Sequence, residues 1–74
     1  MKTYILVQAQ PHADISALVR DLVRLPGIDW AEPVRGPFDV IAEATDDVDV
    51  SSISAVRGVL RALVSPVLAP AEVA

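Results

Sequence analysis

The residues with the most chemical reach stand together in one short stretch, Arg35-Gly36-Pro37-Phe38-Asp39. A glycine lets a ligand approach the backbone because no Cβ stands in the way, and neighbouring turn amides form a concavity suited to an anion. Pro37 has no N–H, so the donors must come from the residues around it. Asp39 offers a carboxylate that accepts a charge-assisted bond from an ammonium group. Phe38 supplies an apolar wall, and Arg35, just before the glycine, completes the set. Together they suit an amino-acid zwitterion, its carboxylate on the turn backbone and its ammonium on Asp39. The same residues also read as plain structure, with Asp39 capping the turn and Phe38 in the core.

Little else in the chain can do chemistry. There is no cysteine, one histidine (His12) and one tyrosine (Tyr4). That excludes a disulfide scaffold, a cysteine zinc site and a His-rich metal constellation, and leaves no nucleophile–base set. A non-catalytic protein without cofactor or metal is expected. His12 reads as an exposed loop residue. Arg20 and Arg24 form either an anion-binding stripe or a solvated helix face with Asp21 and Arg24 weakly paired.

The 74-residue length fits one small domain, expected over residues 1–68 with a tail at 69–74. A monomer of this size buries only about 60% of its unfolded surface and is marginal. Apolar residues make up 53% of the chain, too many for disorder. Six basic residues against ten acidic ones, net −4, leave no footprint for a nucleic-acid backbone. Gln8 and Gln10 interrupt the apolar run Tyr4-Ile5-Leu6-Val7 before it reaches the length of a leader or a membrane span. A cytoplasmic protein binding neither nucleic acid nor membrane is expected.

The elements that must position the turn follow from periodicity. Residues 2–8 are β-prone and nearly continuously apolar, as in a central strand. Residues 14–25 carry Ile15, Leu18, Val19, Leu22 and Leu25 at helical spacing, with Asp14 as N-cap. Pro26-Gly27 stops that helix. A second strand at 28–35 must have an edge or a bulge at Pro33. Gly36-Pro37 turns the chain into a third strand at 38–44, with these two strands read as the central antiparallel pair. Asp46 and Asp47 crowd the start of a short helix at about 48–56, which Gly58 stops. The last strand spans 59–68. Trp30 packs in the core or against a partner.

An internal echo ties these elements together. Leu25-Pro26-Gly27-Ile28-Asp29-Trp30-Ala31 and Val56-Arg57-Gly58-Val59-Leu60-Arg61-Ala62 share Gly, a β-branched residue and Ala at the same offsets. Each falls at a helix-to-strand junction. Two strand–helix–strand halves with right-handed crossovers make an α+β ferredoxin-like plait, βαββαβ, with both helices on one face of a four-stranded antiparallel sheet. The other face carries apolar residues and no helix, so it calls for a second subunit.

The order Leu-Pro-Gly-Ile-x-x-Ala-x-x-Val-x-Gly-x-Phe-Asp at residues 25–39 resembles the C-terminal effector-binding (RAM) domain of the Lrp/AsnC regulators, in its stand-alone version. The resemblance extends over residues 2–68, with a similar Gly-Val at Gly58-Val59. It implies a dimeric α/β barrel formed sheet to sheet, assembly of homodimers into rings, and small effectors, usually amino acids, bound between dimers. It implies that Gly36, Pro37, Phe38 and Asp39 help line that site. A partner is then a full-length regulator of the same family, which would supply the DNA-binding helix-turn-helix. Three features depart from the pattern: Arg35 where threonine is common, a second helix about two turns shorter, and Ala62-Leu63-Val64 where members often carry Thr-x-Thr. Two other functions compete, a small dimeric α/β-barrel enzyme of the cofactorless monooxygenase or isomerase type, and a purely structural co-assembly partner. An ACT-like amino-acid domain shares the plait but lacks the 25–39 pattern.

Overall fold

The computed structural model describes residues 2–45 and 48–66. Strand β1 (Thr3–Ala9) leads into helix α1 (Ile15–Val23), then β2 (Ile28–Pro33), β3 (Val40–Ala44), helix α2 (Val50–Ser54) and β4 (Val59–Pro66). The strands form one sheet in the order β2-β3-β1-β4, and every neighbouring pair is antiparallel. This is the expected ferredoxin-like plait.

Strand alternation decides which side is filled. In β1, Thr3, Ile5 and Val7 are buried while Tyr4, Leu6 and Gln8 are half-buried. Val40, Ala42 and Ala44 of β3 face the same way. Leu18 and Leu22 of α1 and Ile53 of α2 close over them, giving one core on one side of the sheet.

Both helices begin on an aspartate. Asp14 accepts from the Ala17 N–H at 3.1 Å. Asp49 accepts from the Ser51 N–H at 3.0 Å and from its hydroxyl at 2.7 Å. The Ser51 hydroxyl first, and its amide second, hold the Asp49 carboxyl below its ordinary value. Asp49 is thus the cap of α2; Asp46 and Asp47, expected near its start, lie outside the described residues.

The two helices end alike. Gly27 has φ +90° and Gly58 φ +96°, a region L side chains rarely occupy. At the first junction the Leu25 N–H donates to Leu22 O (3.0 Å) and Ile28 N–H to Leu25 O (3.3 Å). At the second, Val56 N–H donates to Ile53 O (3.1 Å) and Val59 N–H to Val56 O (3.2 Å). The likeness continues into the strands. In β2, Ile28 pairs with Ala44 and Trp30 with Glu43, which leaves Asp29 as an extra residue. In β4, Val59 pairs with Ala9 and Arg61 with Gln8, which leaves Leu60 extra in the same place.

Several boundaries and placements differ from expectation. The helices are shorter, because the residues before each glycine already turn toward the strand. Strand β2 is not central; it is an edge, paired only with β3, and β1 and β3 are the central pair. The edge position accommodates Pro33 without a bulge, and the bulge sits instead at Asp29. Strand β3 starts at Val40 rather than Phe38, because the Asp39 carboxylate takes over the next pairing position on β1. Asp21 approaches Arg20 (3.8 Å) rather than Arg24. Residues 67–68 of the expected last strand and the tail at 69–74 lie outside the described residues.

A methyl group at either junction glycine would meet only ordinary contacts, Val48 Cγ2 at 3.6 Å from position 27 and Ala13 Cβ at 3.4 Å from position 58. The cost of Gly27→Ala or Gly58→Ala is therefore conformational, about 1–2 kcal/mol each. Urea unfolding of each variant checks this; unchanged midpoints would show that neither junction constrains the fold.

Candidate functional site

The β2–β3 hairpin closes when the Val34 N–H donates to Asp39 O at 2.9 Å. Gly36 sits inside it at φ +129°; beyond its two chain neighbours, no atom among the described residues lies within 4 Å of where a Cβ would stand, so its backbone has room for a ligand. Arg35, Gly36 and Pro37 are exposed; Phe38 and Asp39 are half-buried. The five expected site residues thus lie together at one tip of the sheet. Phe38 stands outside the apolar core.

Asp39 has a structural task on β1 that sequence reasoning did not place. Its N–H donates to Val7 O at 2.9 Å, and its carboxylate accepts from the Ala9 N–H at 2.8 Å. The side chain takes the acceptor role that a main-chain carbonyl would play if β3 began earlier. One carboxylate oxygen is committed to β1; the other makes no hydrogen bond within the described residues.

The uncovered face of the sheet follows from the register. Tyr4, Leu6, Trp30, Ile41 and Leu63 lie on the side opposite the core, interspersed with Gln8, Glu32, Glu43 and Arg61. Trp30 is on this face and not in the core. Its indole N–H donates to Glu43 at 2.7 Å, the Tyr4 ring meets it edge-on at 6.4 Å, and Lys2 lies 3.6 Å from the other Glu43 oxygen. This network fixes a large aromatic on an apolar surface that no helix among the described residues covers.

A cavity lies elsewhere. It opens between the β1–α1 loop, one flank of α1 and the corner Arg57-Gly58, and none of residues 35–39 lines it. Sequence reasoning read His12 as an exposed loop residue, left Arg20 between an anion-binding stripe and a solvated helix face, and gave Arg57 no role. The available signal was the echo itself, which sets Gly58 at a junction where the start of the other helix must pack.

No family model matches the chain, and no curated protein matches it. Solved structures do. TTHA0845 from Thermus thermophilus is 24% identical, with a TM-score of 0.72 over 93% of this chain and 96% of that one. The transcriptional regulator NMB0573 from Neisseria meningitidis, solved as a complex with L-Met, is 19% identical, with a TM-score of 0.70 over 93% of this chain and 50% of that one. PH0061 is 12% identical, with a TM-score of 0.68 over 88% of this chain and 49% of that one. The chain thus spans about half the length of two of these proteins and nearly all of the third. At these identities the likeness is one of fold. A helix long and apolar enough to cross a membrane is absent among the described residues.

Asp39→Ala strands the Ala9 N–H at a half-buried position and is expected to cost about 1–3 kcal/mol. Asp39→Asn retains an acceptor and is expected to recover most of that loss. Thermal melts of the two variants decide it; equal stability of both and the parent would show that the bond to Ala9 holds nothing in place.

Proposed function

We propose that the chain is a non-catalytic module that senses a small molecule, an amino acid, and assembles with copies of itself in transcriptional regulation, in the manner of Lrp/AsnC effector domains. The observation that carries this reading is the match of 93% of the chain to one half of a transcriptional regulator holding L-Met. The open hairpin backbone and the resemblance of residues 25–39 support a site at Arg35, Gly36, Pro37, Phe38 and Asp39. The carboxylate of the effector sits on the turn amides and its ammonium on the free oxygen of Asp39. The uncovered face with Trp30 supports a homodimer packed sheet to sheet, with dimers forming rings and a full-length regulator as a further partner. A cytoplasmic setting goes with that role.

One observation favours a second reading, a purely structural co-assembly partner. Asp39 already serves β1 through Ala9, so the hairpin has a complete structural reason for its acid.

Calorimetry against the twenty amino acids tests the sensing role. One of them is expected to bind below millimolar concentration. Asp39→Asn, which keeps the bond to Ala9, is expected to weaken it roughly ten- to a hundredfold. No binding at millimolar concentration overturns the amino-acid reading and favours the co-assembly one. Sedimentation at micromolar concentration tests assembly: a dimer or larger species is expected, and a stable folded monomer refutes it.

A further inference from the structure

The cavity beside α1 has a volume of about 570 Å³. Small-molecule sites fall at roughly 300–1,000 Å³, so it has room for a metabolite. Its lining carries both signs of charge, Arg20 and Arg57 against Asp14 and Asp21. Among these four charges one loose ion pair forms within the wall, between Arg20 and Asp21. Asp14 is committed to the Ala17 N–H as the helix cap. Asp21 lies 3.8 Å from Nε of Arg20, a loose contact that leaves the terminal guanidinium nitrogens open. Arg57 makes no ion pair among the described residues.

The loop at the cavity mouth adds a separate observation. The Ala13 N–H donates to Gln10 O at 3.1 Å, with Pro11 and His12 between them. His12 has φ +66°, the left-handed conformation that the third position of a type II turn requires. Glycine would fill that position without strain. The chain instead carries an imidazole there, on the cavity wall.

An anion alone would meet the acids of this wall, and a cation alone would meet the arginines. A molecule with both signs satisfies them together. Gly58 packs against Ala13, which sets Arg57 at the start of α1. Asp21 follows Asp14 by seven residues, about 10 Å along the helix, and the long Arg57 side chain spans part of that distance. We propose that the cavity binds a small zwitterion, one free carboxylate and one free ammonium in the same molecule, with Arg57 holding the carboxylate and Asp21 the ammonium. Free amino acids and short peptides share this chemistry. The cavity shares no lining residue with the hairpin, so the proposal does not rest on what the hairpin binds.

Amide-resolved NMR of the ¹⁵N-labelled chain tests it, by titration with each of the twenty L-amino acids and with glycylglycine. At least one probe is expected to shift the amides of residues 12–14 and 57–58 saturably at millimolar concentration or below. An amino acid as the binder assigns the free monomer; glycylglycine alone assigns the short peptide. The N-acetyl derivative and the methyl ester of the binder each lack one charge and are expected to bind at least about tenfold more weakly. Arg57→Gln and Asp21→Asn are expected to weaken the parent ligand as much, with the β1 and β3 amides unmoved to show that the fold is intact. Absence of any saturable shift at the cavity overturns the proposal, as does binding that survives both substitutions. Shifts confined to residues 35–39 also overturn it while leaving the effector reading in place, so the two failures are distinguishable.

Discussion

The left-handed turn at Gly27 and Gly58 is the constraint on which the rest of the molecule depends. In each half the chain must leave a helix and enter an edge strand within a few residues, and a positive φ makes that reversal possible. The consequences run both ways from the glycine. On the strand side, the next two residues place a bulge that sets the register of the edge. On the helix side, the flat surface of the glycine seats the residue before the other helix's cap, Val48 on Gly27 and Ala13 on Gly58. Each half therefore closes on the other at two equivalent points. The start of each helix comes to lie beside the end of its neighbour, which brings macrodipole ends of opposite sign together.

That reciprocity explains why the architecture was legible from the residues. The echo at 25–31 and 56–62 marks the same three-dimensional corner twice, and strand–helix–strand repeats have few ways to pack. The order of the strands was harder to read. A hairpin between β2 and β3 looks like the middle of a sheet, but a right-handed crossover inserts β1 between β3 and β4 and pushes β2 to the edge. The proline in β2 was the clue that pointed correctly to an edge. The hairpin tip was legible because glycine and proline dictate local geometry. The cavity was not, because it forms from three segments whose meeting is a property of the packed helices.

The one-sided core gives the molecule an unfinished character. Ten buried apolar residues form the core cluster, all on the helix side of the sheet. The opposite side holds Tyr4, Leu6, Trp30, Ile41 and Leu63 without a covering layer among the described residues. Glu43 matters here because it is enclosed, with 12% of its side chain exposed, and it orients the indole through a charge-assisted bond. A surface intended for water gains nothing from holding a tryptophan in one pose. A surface that packs against another layer does, since an oriented ring loses less freedom on association.

Asp39 shows how structural and chemical roles meet on one side chain. Its main chain continues the β1–β3 pairing past Val40, and its carboxylate supplies the last acceptor on that line at Ala9. This commitment does not remove it from chemistry, because a carboxylate has two oxygens and about four acceptor sites. It does change what the proposed site can be. An acid free to rotate would adapt to many ligands at an entropic cost. An acid pinned at one oxygen presents the other in a fixed direction, beside a glycine whose backbone is open. In the proposed effector site such an acceptor, positioned before the ligand arrives, favours selectivity. The same bond makes the strand register and the carboxylate's orientation inseparable, so a change at this residue acts on both.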